Sequence, residues 1–377
     1  MPKKILIVSG EPSGDLHASN LVRDLKSLDP GLKFFGIGGE LSGKAGVDIV
    51  FDITRLALVG VVEVIKHLSV VKQAHDAVMA RIEAEKPDLA ILVDYPGFNL
   101  KIAVDLAGRG IPVAYYISPQ VWAWGRQRIR IIKKCVKKVV VLFKFEEELY
   151  LAHGIDAEFV GHPILDVVKV TSPKDEVFRK YGLSGEKKTI AMLPGSRESE
   201  IKTILPILAD AARIISDKVG NSQFVISKHP GRAASIYEES LKGASFDYRF
   251  VEGDLHNIVA ASDFAIVASG TATLETAILG TPLVIVYKAN LLTYLLYKLV
   301  ITIPFLGIVN IIAGKEVAPE FLQFDMTPKK IAGKVIEILS HPDKLSAMRA
   351  ELAMVRSSLG SPGASLRAAH AILKLLQ

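Results

Sequence analysis

Two stretches in the second half of the chain place small polar residues and a charged group directly after apolar runs. They are 192-MLPGSRESEI-201 and 268-ASGTATLETA-277. A helix that begins after such a turn presents free backbone N–H groups and the positive end of its dipole at one point, which attracts phosphate. We therefore predict a site for the two phosphates of a nucleotide diphosphate, although each stretch alone also fits an ordinary strand-to-helix turn. The residues assigned to this site are Arg197, Ser269, Gly270, Thr271 and Glu275.

Arg197 and Glu275 are the two charged residues assigned to this site. A guanidinium can donate two parallel hydrogen bonds to a phosphate, in a geometry that lysine does not offer. A capping box begun at Thr271 would need its carboxylate at position 274, which is Leu274, so capping by Thr271 does not explain Glu275. Glu275 either complements the helix dipole or accepts hydrogen bonds from ribose hydroxyls.

In the first half, Asp94 follows the apolar run 89-LAILV-93. A carboxylate at a strand end has the chemistry of a general base that takes a proton from an attacking hydroxyl. The alternative is a loop or helix-capping aspartate. The Gly-rich segment 9-SGEPSGD-15 predicts a further strand-to-helix turn in the same half.

Other motifs are weaker. The segment 38-GGELSGKA-45 approaches a P-loop, but Ala45 stands where a Ser or Thr must bind magnesium. Gly36 and Gly38 are followed by Leu41 where a dinucleotide-binding fingerprint needs a third glycine. His162 and His229 each precede a proline and are interpreted as turn residues, so we predict no metal site.

The elements that must position these residues follow an α/β pattern. Strand-like runs alternate with helix-length segments from KILIVSG to KVVVLF, and the pattern restarts at TIAMLPGS and continues to PLVIVY. This alternation predicts two doubly wound parallel sheets in series, with ligands beyond the carboxyl ends of the strands. The chain divides near 159-FVGHPILD-166 and the polar segment that follows it.

Composition agrees with two folded domains. The chain has 377 residues, half of them apolar, and a single cysteine, Cys135, which excludes an internal disulfide and suits a reducing compartment. The short apolar run Ile5–Val8 is far from a signal-peptide core, so we expect a cytoplasmic protein. The formal charge of +6 favours an anionic partner: nucleic acid, an acidic membrane surface or a phosphorylated substrate.

Three segments bear on that choice. The stretch 126-RQRIRIIKKCVKK-138 is predicted to be a helix with its cations on one face, as an anion-binding patch or a solvated surface. The apolar segment 56–71 is predicted to lie in a membrane interface, with a buried helix as the alternative. The segment 291–309 is interrupted by Lys298 and Pro304, which favours a buried helix or interfacial contact over a membrane span.

Taken together, the motifs resemble the lipid-A-disaccharide synthase family from Ser9 to Gln323. They are SGEPSGDLHASNLV, VDYPGFNL, YYISPQVWAWGRQRI, FVGHP, LPGSRESEI, SGTATLETAILGTPLVIVYK and NIIAGKEVAPEFLQ. The WAW triplet after SPQV and the last block are far more specific than any Gly-rich turn. The family often carries Arg where this chain has Lys315, which keeps the charge but not the fork geometry.

The resemblance implies a GT-B glycosyltransferase, with two Rossmann-like domains that face one another across a cleft. It implies an inverting transfer that needs no metal or other cofactor, from UDP-2,3-diacylglucosamine to 2,3-diacylglucosamine 1-phosphate (lipid X). The products would be the β(1→6) lipid A disaccharide 1-phosphate and UDP. Residues 1–165 would form an acceptor-side, membrane-docking domain to which helices of about 345–377 cross back. Residues 166–344 would bind the UDP-sugar.

Carried onto this sequence, the resemblance makes Asp94 the base that activates the acceptor 6-hydroxyl. The donor-site residues of the nucleotide turns are joined by three from the last block: Asn310, Glu320 and Gln323. On the acceptor side we assign Ser13, Gly14, Asp15 and Asn99. The expected partners are the two lipid substrates and the anionic inner face of the inner membrane, with no nucleic acid, and a homodimer with exchanged C-termini is considered.

Two other functions are weighed against this one. A UDP-sugar 2-epimerase of the same fold would leave the apolar segment 56–71 without a task, because its substrate is fully soluble. A non-catalytic protein that binds a nucleotide sugar or nucleic acid would use the basic stretch 126–138. Substitution of Asp94 by Asn separates catalysis from binding.

Overall fold

The computed structural model describes residues 2–52, 68–289, 294 and 303–376. The chain forms two compact units, one of Met1–Pro163 with Leu359–Gln377 and the other of Ile164–Ser358. The segments 56–71 and 291–309, considered above as membrane contacts, lie largely outside the described residues. Among the residues that are described, no helix is long and apolar enough to cross a membrane.

The described part of the first unit is built on a seven-stranded parallel sheet. Its strands are β1 (Lys4–Ser9), β2 (Lys33–Ile37), β3 (Val47–Phe51), β4 (Leu89–Val93), β5 (Val113–Tyr116), β6 (Lys138–Val141) and β7 (Ala157–Phe159). Its helices up to the division are α1 (Pro12–Leu28), α2 (Glu40–Lys44), α3 (Leu68–Glu85), α4 (Pro96–Gly108), α5 (Arg128–Cys135) and α6 (Lys144–Ala152). Every residue of β4 is buried, as expected for a parallel strand covered on both faces.

The described part of the second unit is built on a six-stranded parallel sheet. Its strands are β8 (Lys188–Leu193), β9 (Ser222–Lys228), β10 (Tyr248–Glu252), β11 (Phe264–Ala268), β12 (Leu283–Tyr287) and β13 (Glu320–Leu322). Its helices are α7 (Ile164–Val167), α8 (Lys174–Tyr181), α9 (Glu198–Val219), α10 (Ala234–Ser240), α11 (Leu255–Ala261), α12 (Thr271–Ile278), α13 (Ile308–Ala313), α14 (Pro328–Leu339) and α15 (Pro342–Ser358).

The strand order places a topological switch point in each sheet. The first sheet runs β3-β2-β1-β4-β5-β6-β7 and the second runs β10-β9-β8-β11-β12-β13. Successive connections therefore leave in opposite directions on either side of the β1/β4 and β8/β11 pairs. In such doubly wound sheets, ligands bind beyond the carboxyl ends of the strands at this point. The predicted α/β class is confirmed. Each switch point is a candidate position for a ligand site.

The C-terminal residues divide between the units at the turn Gly360-Ser361-Pro362-Gly363. Helix α15 packs against α12 and α13 in the second unit. Helix α16 (Ala364–Leu373), followed by a short 3₁₀ turn (Lys374–Leu376), packs against α1 in the first unit. Arg367 holds α16 in place, because its Nε donates to the Val160 carbonyl at 2.8 Å.

The prediction of one continuous basic helix over 126–138 is wrong at both ends. The helix runs only over Arg128–Cys135, and Val136 is already extended. Lys138 begins β6, where it is buried between Asp156 and Glu158 at 3.2 and 3.1 Å. Pairing of β6 with β5 and β7 therefore overrides the helical spacing of the cations, and Arg126 and Lys137 do not belong to the helix.

Candidate active site

The second unit contains a cavity of about 920 Å³ at its switch point. The residues at the carboxyl ends of β8, β9, β10 and β11 and in the loops that follow them line it. This volume lies in the range of small-molecule and cofactor sites. The structure brings all the residues of the two predicted nucleotide turns together here: Arg197, Ser269, Gly270, Thr271 and Glu275.

The turn after β8 is organised around Glu200. Its carboxylate accepts the backbone N–H groups of Ser196 and Arg197, both at 3.2 Å, and the Arg197 Nη1 at 2.8 Å. Gly195 has φ +107°, and a Cβ at this position would come within 2.5 Å of the Glu200 Oε2. Glycine is therefore required at position 195, and Glu200 holds Arg197 at the start of α9. Within the described residues the other guanidinium N–H groups of Arg197 have no hydrogen-bond acceptor, so they are left for a ligand.

The turn after β11 is tied down on two sides. The Ser269 N–H donates to the Val286 carbonyl at 2.9 Å, and the Thr273 Oγ1 donates to the Gly270 carbonyl at 2.7 Å. Helix α12 begins at Thr271, directly after Gly270. The Glu275 Oε1 lies 3.8 Å from the His256 Nε2 at the cavity wall, and each side chain is about one-fifth exposed.

Several residues of the cavity were not assigned to it from the sequence. They are Lys169, Lys228, His229, Asp254, His256 and Asn257. Asn257 holds the backbone at Thr171 and Ser172, near the start of the second unit. Its Oδ1 accepts their N–H groups at 2.7 and 3.2 Å. The strand ends FVISKH and YRFVEG could have indicated some of these residues. Loops that follow neighbouring parallel strands meet at one edge of the sheet, so residues in them can line the same site.

The three donor-site residues from the last block lie elsewhere in the second unit. Asn310 is fully buried; its Oδ1 accepts the Val317 and Ala318 N–H groups and its Nδ2 donates to the Ala318 carbonyl and to Glu320. Glu320 also accepts the Leu306 and Gly307 N–H groups, both at 2.9 Å.

Gln323 continues this internal hydrogen bonding. It exchanges two hydrogen bonds with the Ala289 backbone, at 3.1 and 3.0 Å. None of Asn310, Glu320 and Gln323 lines the 920 Å³ cavity. Their polar groups instead hold the backbone on either side of positions 290–302, of which the structure describes only Tyr294.

In the first unit, Asp94 follows β4 at the switch point and has an unusual backbone. Asp94 and Tyr95 have φ values of +49° and +47°, a left-handed conformation that costs a non-glycine residue about 1–3 kcal/mol. Two buried side chains hold this pair: the Asn99 Nδ2 and the Tyr115 hydroxyl donate to the Asp94 carbonyl at 2.7 and 2.8 Å. Such strain, held in place by its surroundings, is common at functional sites.

The Asp94 carboxyl is largely removed from water. Burial raises its pKa because desolvation disfavours the charged form, while the Tyr95 N–H partly offsets the effect. Glu11, which follows β1, is exposed by surface area, but partial desolvation of its carboxyl and the nearby charge of Asp94 raise its pKa as well. Gly10 lies against Tyr95, since a Cβ at position 10 would overlap the Tyr95 ring. Asp94, Glu11 and Tyr95 thus form one cluster at this switch point.

The assigned acceptor residues have different placements. Ser13 is exposed and Gly14 is buried near the start of α1. Asn99 is fully buried and holds the Asp94 turn. Asp15 is buried, and its carboxylate accepts the N–H groups of Gly39, Leu41 and Ser42 at 2.8, 3.0 and 3.2 Å. The P-loop-like segment 38–45 therefore directs its backbone N–H groups to an internal carboxylate.

The described histidine and acidic side chains do not form a metal-binding cluster. In the part of the chain that the structure covers, no group of three or more His, Cys, Asp and Glu residues could hold a metal ion. His162 lies 5.1 Å from the Phe143 ring, and burial together with nearby His17 lowers its pKa to about 4. His162 is therefore a neutral side chain at physiological pH.

The fold is shared with solved structures that match nearly the whole chain. Acinetobacter baumannii MurG matches with a TM-score of 0.60 and 16% identity, over 99% of this chain and 100% of that one. UDP-GlcNAc 2-epimerase from Neisseria meningitidis, bound to UDP-GlcNAc, matches with a TM-score of 0.61 and 12% identity, over 98% and 100%. At these identities the likeness shows the fold alone. The two sheets, each with a switch-point site, define a protein of the GT-B fold.

Sequence relatives are more specific than the fold. The family model described as Lipid-A-disaccharide synthetase matches residues 5–373. The lipid-A-disaccharide synthases of Syntrophus aciditrophicus and Myxococcus xanthus are 44% and 39% identical to this chain, over 100% of it and 98% of each relative. The chain therefore belongs to the lipid-A-disaccharide synthase family of glycosyltransferases. This membership confirms the resemblance seen in the motifs and decides against the 2-epimerase and the non-catalytic binding protein.

Proposed function

We propose that the chain joins the diacylglucosamine unit of UDP-2,3-diacylglucosamine to the 6-hydroxyl of 2,3-diacylglucosamine 1-phosphate. The bond between the donor's anomeric carbon and UDP breaks, a β(1→6) glycosidic bond forms with inversion, and UDP leaves. The observation that carries this proposal is the family match over residues 5–373, which covers nearly all of both units.

In this reaction Asp94 takes the proton of the attacking hydroxyl. Its position at the β1/β4 switch point, the hydrogen bonds that hold its backbone and its raised pKa support this role. A base with a raised pKa is a better proton acceptor once ionised, and general bases typically contribute about 10²–10⁴-fold. The charge that develops on UDP is stabilised by Arg197 and the N-terminus of α12, which border the same cavity.

The test combines one assay with one substitution. Purified full-length chain, detergent-dispersed acceptor and UDP donor are incubated with EDTA, and disaccharide is measured by mass spectrometry. We expect product from the native chain and a loss of about 10²–10⁴-fold in kcat for Asp94→Asn, with unchanged affinity for UDP. Asp24→Asn, on α1, is the control. No product from the native chain would refute the reaction; full activity of Asp94→Asn would refute the base.

Attachment to the inner face of the inner membrane is part of the proposal. Five exposed cations in and near α5 support it: Arg126, Arg130, Lys133, Lys134 and Lys137. Such clusters attract anionic lipids by about 1 kcal/mol for each cation near the surface, and salt weakens this attraction. The chain should float with phosphatidylglycerol vesicles at low salt and separate from them at high salt. Failure to float at low salt would contradict attachment.

A homodimer with exchanged C-termini is also proposed. The turn between α15 and α16 is where such an exchange would begin, because Gly360 and Gly363 have φ values of +83° and +88° and allow the chain to change direction. Sedimentation of the purified chain at the mass of one copy would contradict it.

A further inference from the structure

Arg128, at the start of α5, holds its guanidinium against the ring of Trp124. The guanidinium carbon lies 3.9 Å from the centre of the Trp124 ring, a cation–π contact. On Gly125, which has φ +71°, a Cβ would come within 3.3–3.5 Å of the Arg128 Cδ, Nε and Cζ atoms. The side chain is thus confined by the indole and by the Gly125 backbone, so little conformational entropy remains to be lost when it binds a ligand.

Among the residues that the structure describes, this confined cation has no acidic partner. In the described ranges, no carboxylate lies within ion-pair or hydrogen-bonding distance of the Arg128 side chain. Burial lowers its pKa, because desolvation disfavours the charged form, although arginine stays protonated. The first turn of α5 contains no acid and also carries Arg130, so these cations face the positive end of the helix dipole. A bound anion would offset both the burial of this charge and its repulsion by the positive end of the helix dipole.

Arg128 also lies close to the Asp94 turn. The two residues interact electrostatically with the same buried hydroxyl, that of Tyr115, which donates to the Asp94 carbonyl at 2.8 Å. The Asp94 N–H donates to the carbonyl of the next residue, Tyr116, at 3.0 Å. A ligand with a hydroxyl at Asp94 and an anionic group at Arg128 would therefore have both ends beside one strand, β5.

We propose that Arg128 binds the phosphate of the sugar acceptor and thereby selects a phosphorylated acceptor over an unphosphorylated one. The inference rests on the proposed function, because Asp94 must be the residue that meets the acceptor hydroxyl. A planar guanidinium matches a phosphate monoester through two parallel N–H···O bonds. Its contact with the Trp124 ring would orient the acceptor as well as hold it.

The experiment compares two acceptors: diacylglucosamine 1-phosphate and the same diacylglucosamine without phosphate. Charge-assisted hydrogen bonds contribute enough for the native chain to prefer the phosphorylated acceptor by about 10–100-fold in kcat/KM. In Arg128→Gln this preference should fall to within about threefold, while the KM for the UDP donor stays unchanged. Arg128→Lys keeps the charge but loses the fork, and should lose about half of the preference on a logarithmic scale. Arg23→Gln, on α1 of the same unit, is the matched control.

A second readout does not depend on turnover. Equilibrium binding of radiolabelled phosphorylated acceptor should weaken by about 10–100-fold in Arg128→Gln. If the native chain makes no disaccharide but shows this difference in binding, the proposed reaction fails and the phosphate site stands. If Arg128→Gln keeps the native preference between acceptors, the site is refuted and the reaction stands. Reduced flotation with anionic vesicles at unchanged acceptor preference would make Arg128 a membrane contact instead, which also refutes it.

Discussion

The pKa of Glu146 links a single residue to the stability of the first unit. Glu146 lies buried in α6 and accepts a hydrogen bond from the Trp122 Nε1 at 3.0 Å. Burial raises its pKa from 4.5 to about 7, because desolvation outweighs this bond and two backbone hydrogen bonds. Between pH 4.5 and pH 7 the folded chain therefore keeps a proton that the unfolded chain has released, and stability falls as the pH rises.

We predict that Glu146→Gln removes this loss of stability. The amide oxygen can still accept from Trp122, but no charge is buried at high pH. The free energy of unfolding should rise by up to about 3 kcal/mol at pH 8.5 and stay unchanged at pH 4. Urea denaturation at both values measures it. Glu148→Gln, an exposed position on the same helix, is the control, and an equal effect at both pH values would contradict the explanation.

The sequence predicts the placement of a residue well where that placement depends only on its position relative to a strand end. Asp94, Arg197 and Glu275 stand at or just beyond strand ends, and the structure places each at a switch point. The hydrogen bonds of Asn310 and of Asp15 could not be predicted, because their partners are set by packing. Asp15, for example, binds backbone groups more than twenty positions away.

At the scale of elements, Asp15 connects α1 to α2. Its buried carboxylate is the acceptor for three backbone N–H groups at the start of α2. We predict that Asp15→Ala lowers the free energy of unfolding by about 1–3 kcal/mol, because these groups lose their acceptor. The Gly39, Leu41 and Ser42 amides should also exchange faster with deuterium. Ser13→Ala, in the first turn of α1, is the control.

The same variant tests the acceptor-side assignment made from the sequence. If Asp15 acts as a structural cap, the KM for the acceptor should change little in Asp15→Ala under conditions where the chain is folded. A raised acceptor KM with unchanged stability and exchange would instead support direct contact with the acceptor.

The long alternating elements were predictable, and the short edge strands were not. The apolar runs that became β1, β4, β8 and β11 are buried on both faces, so their composition identifies them. β7 and β13 have only three residues each, and β3 is only partly buried. They form because a neighbouring strand offers free hydrogen-bonding groups. Helix α5 shows the converse, since sheet pairing ends a pattern that would otherwise continue as a helix.

At the scale of the whole molecule, the two units depend differently on the C-terminus. The last helix, α16, buries five side chains in the first unit: Ala364, Ala368, Ala369, Ala371 and Ile372. The residues that line the 920 Å³ cavity all lie between positions 167 and 275 of the second unit.

We predict that deletion of residues 359–377 destabilises only the first unit. Loss of the apolar contact and of the Arg367 hydrogen bond to Val160 should lower its melting temperature by roughly 10 °C. The affinity for UDP, whose proposed site lies in the second unit, should be unchanged. Calorimetry measures the melting of the truncated chain, and titration with UDP measures the affinity. Loss of UDP binding in that chain would contradict independence of the two units.

The return of α16 to α1 also decides when each half of the protein can be finished on the ribosome. Residues 164–358 are all synthesised before the segment that completes the first unit. At about 5–20 residues per second, the nascent first unit must wait on the order of ten to forty seconds with the α16-facing side of α1 uncovered. The half that is translated first is therefore the last to reach its native state, and in that interval its exposed apolar surface is open to chaperones.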